Sequence, residues 1–248
     1  MFTGQIALVT GGGRGIGRAT ASLLAKQGAV VVINFVSRQD AAADAARAVR
    51  ADGGQAVVMQ GDVRSREQVE DIIAKIDGRW GRLDILISNA GMPFVRKPLR
   101  DMAWEEFQQK LDDEMKAAFV LTQAVTPVMA RNHYGRIVYV GSGLAKHTAP
   151  DMAAHGTAKA ALTQFARYVA AEYGPVGITA NVVSPGLVHT EATEFQPQNF
   201  LNRVAAMTPL GRIAEPDDVA RAIVMYASRA SGFITGTYIP VDGGSSME

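Results

Sequence analysis

Cysteine is absent from this sequence. That removes disulfides, thiolate metal sites and a cysteine nucleophile at once, and it is in keeping with a reducing compartment. An excess of one charge is lacking too: 25 Lys and Arg stand against 24 Asp and Glu, a formal net charge of +1. Nucleic acid or an anionic membrane calls for a basic stripe, so a small molecule is the expected partner. No apolar run is long enough to cross a bilayer, and the start, MFTGQIALVTGGG, has neither the charged opening nor the apolar stretch of a signal peptide. A cytoplasmic protein is expected. His133 and His189 are too far apart, and too poorly accompanied by acids, to argue for a metal, and none is expected. Linkers, repeats and low-complexity runs are missing as well, so residues 1–248 read as one domain.

What is present is an alternation of short apolar strands with helical patterns. Ile6 to Thr10 leads into a glycine turn, a helix stopped by Gly28, and the strand VVVIN from Val30. A helix through DAAADAARAVRA, the strand AVVMQ, a helix from about Arg66 to Trp80 and the strand LDILIS follow. The second half continues with a long helix from about Trp104 to Arg131, RIVYV, a helix ending near Tyr173, and ITANVVS. Residues 190–212 read as an irregular lid before Pro216 opens a helix and TYIPVDGG forms the last strand. Strands alternating with helices imply parallel pairing and right-handed crossovers. The expected fold is therefore α/β, a Rossmann-type doubly wound sheet in three layers, with ligands at the carboxyl ends of its strands.

The turn Gly11-Gly12-Gly13-Arg14-Gly15-Ile16-Gly17 lies between a strand and a helix. Missing side chains let backbone N–H groups approach a pyrophosphate at the helix N-terminus, where the dipole favours negative charge. An NAD site places an acid at the end of the second strand, but the chain reads Asn34-Phe35-Val36-Ser37-Arg38 there. Arg14 and Arg38 suit a 2′-phosphate instead, so NADP(H) is expected over NAD(H). Later in the chain, Ser142 ends a strand, and His155 and Lys159 stand i,i+4 on a helix, so both side chains point the same way.

These residues resemble the short-chain dehydrogenase/reductases, and within them the 3-oxoacyl-[acyl-carrier-protein] reductases. The resemblance runs the whole length. It rests on Thr10 to Gly17 as TGxxxGxG, Asp62-Val63, Asn89-Ala90-Gly91, Ser142, Lys159, Pro185-Gly186 with Thr190, and the ending ITGTYIPVDGG. It implies that Asp62 and Val63 hold the adenine, Asn89 to Gly91 line the cofactor, and Val188 with Thr190 meets the carboxamide. It also implies a homotetramer in which the helices beginning near Trp104 and Asp151 pair across a dimer interface. In such enzymes a tyrosine of a YxxxK motif gives a proton to the carbonyl, helped by the lysine. Counting back from Lys159, that tyrosine position holds His155. Glu114 stands where the resembling enzymes carry an asparagine that holds a relay water.

Imidazole titrates near about pH 6.5, closer to neutrality than a phenol. Lys159 pushes His155 towards its neutral form, whereas a nearby Glu114 pulls it towards imidazolium, so the two exchanges are expected to compensate. Three functions stay open: an NADPH-dependent carbonyl reductase using Ser142, His155 and Lys159; a nucleotide-binding subunit without turnover; and a non-redox acid–base enzyme using Glu114 and His155. Met92, Phe94, Phe195 and Phe200 are candidates for an apolar pocket under the lid. Arg96, Lys97, Arg100 and Arg131 are the basic residues an acyl-carrier partner would use, and His147 reads as an exposed loop residue.

Overall fold

Each strand is apolar on alternate residues facing opposite ways, so both faces of the sheet must be covered. The protein, described over residues 1–247 in a computed structural model, does this with helices on both sides. The strands are β1 (Ile6–Thr10), β2 (Val30–Phe35), β3 (Gln55–Gln60), β4 (Ile85–Ser88), β5 (Gly135–Val140), β6 (Ile178–Pro185) and β7 (Tyr238–Val241). Interleaved with them are α1 (Gly15–Lys26), α2 (Gln39–Ala51), α3 (Arg66–Trp80), α4 (Trp104–Arg131), α5 (Ala153–Tyr173), α6 (Gln198–Met207) and α7 (Pro216–Ala227). All strand pairs are parallel, in the order β3-β2-β1-β4-β5-β6-β7. The single α/β domain expected from the sequence is present.

Ile6 and Leu8 pack with α3, α4 and α5, while Ala7 and Val9, one residue out of phase, pack with α1, α2 and α7. The period of two along β1 thus builds two cores from one strand. Strand order reverses between β1 and β4, which opens a crevice at their carboxyl ends. Thr10 and Asn89 tie this point. The Thr10 hydroxyl accepts from the N–H groups of Asn89 (2.9 Å) and Ala90 (3.0 Å), and the Asn89 amide donates to Thr10 O at 2.9 Å.

Several boundaries differ from the sequence reading: β4 starts at Ile85 rather than Leu83, and β7 ends at Val241 rather than Gly244. The segment 190–212 is not irregular throughout but carries α6, and α5 starts at Ala153, with Asp151 outside it in the left-handed region at φ 65°. Helix α6 is one ten-residue element in a polar stretch, where periodicity gives a weak signal.

Candidate functional site

The glycine turn is shaped by close backbone approach. A Cβ on Gly17 would lie 2.4 Å from Gly11 O and 2.6 Å from Asn89 Nδ2, so any side chain there would force the β1–α1 turn away from β4. Helix α1 has no acid in its first turn and no side-chain cap, which leaves its N-terminal N–H groups to an anion. Gly11, Gly13, Arg14, Gly15, Ile16, Ser37, Arg38, Asn89, Ala90, Gly91 and Thr190 line one cleft of about 340 Å³. Phe35 and Val36 stand in that wall where an acid would meet a ribose, and among the described residues the acid that lines the cleft is Glu191, from the segment after β6. The residues present therefore suit the phosphates of a nucleotide.

Asp62 and Val63 follow β3. Val63 is part of the core. Arg64 donates to both oxygens of Asp62 and reaches Asp113 of α4 at 3.0 Å. Its hydrogen bonding holds the Asp62 carboxyl below the usual range, against the opposing effect of burial. In the segment leading to Thr190, Pro185 ends β6, Gly186 N donates to Val241 O at 3.2 Å, and Val188 bridges to Ala214; none of the three lines the cleft.

The chemical end is assembled from α4, α5 and the end of β5. Ser142 follows β5, and its hydroxyl oxygen accepts from Leu144 N at 3.3 Å, while its own proton has no acceptor among the described residues. Gly156, next to His155, lets the loop after Ser142 approach, because a Cβ there would lie 2.8 Å from Leu144 O. Tyr238 of β7 holds the same loop from beneath, donating to Ser142 O at 3.2 Å while accepting from the Ser184 hydroxyl at 2.7 Å. Lys159 donates to Val140 O at 2.8 Å and to Glu114 Oε1 at 2.7 Å.

Lys110, one turn before Glu114 on α4, is the residue that sequence reasoning missed. It is 1% exposed and donates to Glu114 Oε2 at 2.6 Å and to Met92 O at 3.1 Å. An i,i+4 Lys–Glu pair reads in sequence as a solvent-facing stripe, and only packing places it inside. Burial presses the Lys110 ammonium below its ordinary range, with Glu114 opposing. Burial would raise the Glu114 carboxyl, but the two lysines outweigh it and hold it below the usual range, ionised.

Glu114 does draw His155 towards imidazolium, as expected, but the expected compensation of the two exchanges fails. Burial, then Lys159 and Lys110, lower the imidazole to about 4, and Glu114 offsets only part of this. His155 is neutral at pH 7, its Nδ1 buried without a partner. It stacks on Phe94, ring centroids 4.6 Å apart and planes at 24°. With both oxygens bonded to lysines, Glu114 is also poorly placed to act as a base.

Met92 packs against the core beside this site, and Phe195 lies over Arg96 from the segment after β6. Phe200 on α6 stacks with Arg203 instead. Of the basic residues, Lys97, Arg100 and Arg131 are paired with Glu106, Asp101 and Asp77. His147 lines a separate cleft of about 660 Å³ with Lys97, Leu144 and Met152; none of Ser142, His155 and Lys159 lines it. His189 Nδ1 lies 3.5 Å from Glu215, and His133 sits in the turn after α4.

A cleft at the reversal point of a doubly wound sheet, with a serine, an imidazole and a lysine beside it, has clear counterparts among known proteins. Residues 11–246 match the family described as enoyl-(acyl carrier protein) reductase. A 3-oxoacyl-[acyl-carrier-protein] reductase of Synechocystis is 36% identical over 99% of this chain and 98% of its own. Cis-4-hydroxycyclohexanecarboxylate dehydrogenase of Sinomonas cyclohexanicum is 33% identical, covering 98% of this chain and 97% of its own. Among solved structures, a putative gluconate dehydrogenase from Agrobacterium tumefaciens superposes with a TM-score of 0.94 at 32% identity, over 100% of this chain and 98% of that one. The chain belongs to the short-chain dehydrogenase/reductase family. Within it, this oxidoreductase is similar to the 3-oxoacyl-[acyl-carrier-protein] reductases, members of a group that uses nicotinamide cofactors.

Proposed function

We propose that the protein is an NADP(H)-dependent carbonyl reductase, acting on a 3-oxoacyl thioester or a related ketone, with His155 in the place of the proton donor. The observation that carries this reading is the nucleotide cleft lined by Arg14 and Arg38, with no acid at the end of β2. Arg38 and Ser37 would hold the 2′-phosphate, the N-terminus of α1 the pyrophosphate, and Asp62 the adenine. A bound nicotinamide supplies the hydride.

Ser142 turns its hydroxyl proton to the carbonyl oxygen. Lys159 keeps one N–H beyond those given to Glu114 and Val140, and this one serves a ribose hydroxyl. As negative charge develops on the carbonyl oxygen, His155 in its imidazolium form gives up its proton there and returns to neutral imidazole. The buried ammoniums of Lys110 and Lys159 stabilise the same developing charge. They also make imidazolium scarce at rest, so proton delivery improves with acidity. The tetramer implied by the family has support in the exposed Trp104, Phe119 and Tyr168 on α4 and α5.

A second reading has its own support: an imidazole neutral at pH 7 suits a nucleotide-binding subunit without turnover. The test separates the two. For the reductase, NADPH raises the melting temperature more than NADH, and it is consumed with ethyl acetoacetate by the wild type. His155→Ala then lowers kcat by about 10²–10⁴-fold. An inert wild type that gains activity in the His155→Tyr/Glu114→Asn double variant is the result that favours the subunit.

A further inference from the structure

Arg96 is the cation of this region that the assembly leaves over. Its guanidinium carbon lies 5.4 Å from the ring centre of Phe94 and 5.3 Å from that of Phe195, between the loop after β4 and the segment after β6. Two aromatic faces fix the plane of a guanidinium and leave its N–H edge for an acceptor in that plane. Among the described residues, none supplies a hydrogen bond or a carboxylate to it, in contrast to Lys97 next to it, which pairs with Glu106 at 2.6 Å.

Phe94 links Arg96 to the chemistry. The same ring stacks on His155 at 4.6 Å and lies 5.6 Å from the Lys110 ammonium. Arg96 and His155 are therefore no further apart than their two distances to Phe94 added together, a span that a short bifunctional molecule crosses. The charge around His155 is also unbalanced. Of the charged groups acting most strongly on it, Lys159, Lys110 and Arg96 are cations and only Glu114 is an anion. Glu114 is consumed by the two lysines, so the positive charge of Arg96 stays uncompensated.

We propose that Arg96, held between Phe94 and Phe195, binds the carboxylate of the substrate, and that this substrate is a short oxo acid whose ketone lies against His155. A carboxylate accepts two parallel N–H bonds from a guanidinium edge, which fixes orientation as well as adding affinity. The lid ring of Phe195 rests on the same guanidinium, so substrate binding and lid position are coupled through Arg96. This inference rests on the reductase reading, and its test keeps the two apart.

NADPH oxidation is followed with acetoacetate, ethyl acetoacetate and acetoacetyl-CoA, using wild type, Arg96→Gln and Arg96→Lys. Binding of 3-hydroxybutyrate to the NADP-loaded protein is measured by calorimetry. Wild type is expected to favour the free acid over the ester by about ten-fold or more in kcat/KM. Arg96→Gln should abolish that preference chiefly through KM for the free acid and weaken binding of the hydroxy acid by a similar factor, with Arg96→Lys between the two. Equal use of acid and ester by wild type overturns the proposal, as does a preference that Arg96→Gln leaves intact. A loss confined to acetoacetyl-CoA also overturns it, because Arg96 would then serve a carrier phosphate. If no ketone is reduced but hydroxy-acid binding still depends on Arg96, the reductase reading falls and the carboxylate site stands. If wild type neither reduces the acid nor binds the hydroxy acid, both fall.

Discussion

The nucleotide end of the candidate site and its chemical end are built from different materials. At the nucleotide end the ligand surface is backbone: glycines, the first turn of α1, and the Thr10–Asn89 tie, with Arg14 and Arg38 added at the rim. At the chemical end the surface rests on buried charges, Lys110, Glu114 and Lys159, that exist only because α4 and α5 pack together. A backbone cradle survives many side-chain changes as long as its glycines stay. A buried charge set answers as a unit, so altering one member changes the state of the others.

The strongest way to probe that contrast is to remove the anion. Glu114→Gln leaves two buried ammoniums facing each other and should cost about 3–5 kcal/mol. Thermal or denaturant unfolding reads this. Adding Lys110→Met should recover much of the loss, since one uncompensated charge goes with it. A Glu114→Gln protein as stable as wild type would mean the charges are not coupled.

At the other end the expected effect is smaller and confined to one ligand. Arg38→Ala should weaken NADPH by roughly ten- to a hundred-fold, the worth of a charge-assisted hydrogen bond, while NADH binding and folding stay as they were. Equal weakening of both nucleotides would place Arg38 elsewhere than on the 2′-phosphate. Titration with each nucleotide by calorimetry makes the comparison.

The smallest effect is the pH dependence of His155. Its folded value, about 4, lies below the ordinary 6.5. The unfolded chain therefore takes up the proton first, and folded stability falls as pH drops from about 6.5 towards 4, by about 1–2 kcal/mol after allowing for solvent screening. His155→Phe should flatten that part of the stability profile. In the wild type, the rate of ketone reduction should rise as pH falls over the same window, and a rate independent of pH there would remove the imidazolium as donor.

Much of the nucleotide end was legible, because glycines, strand ends and helix starts are local signals, and β1 and the core of α3 fall where periodicity put them. Helix α6 was not, since Pro197 and a short amphipathic stretch look like loop when most neighbours are polar. At the chemical end, the spacing of His155 and Lys159 on one helix was legible. Lys110 was hidden by its own pattern, and Arg96 read only as one of several basic residues near an entrance.

By itself the sequence determined the alternation of strands and helices, the glycine cradle, the missing acid after β2, and the imidazole in the tyrosine's place, because each is a matter of residue type at a fixed spacing. Only the tertiary structure decided the charge state of that imidazole. Burial and a second lysine, brought in by the packing of α4 against α5, outweigh the one carboxylate, and the balance of charges in a desolvated site depends on distances that no spacing along the chain contains.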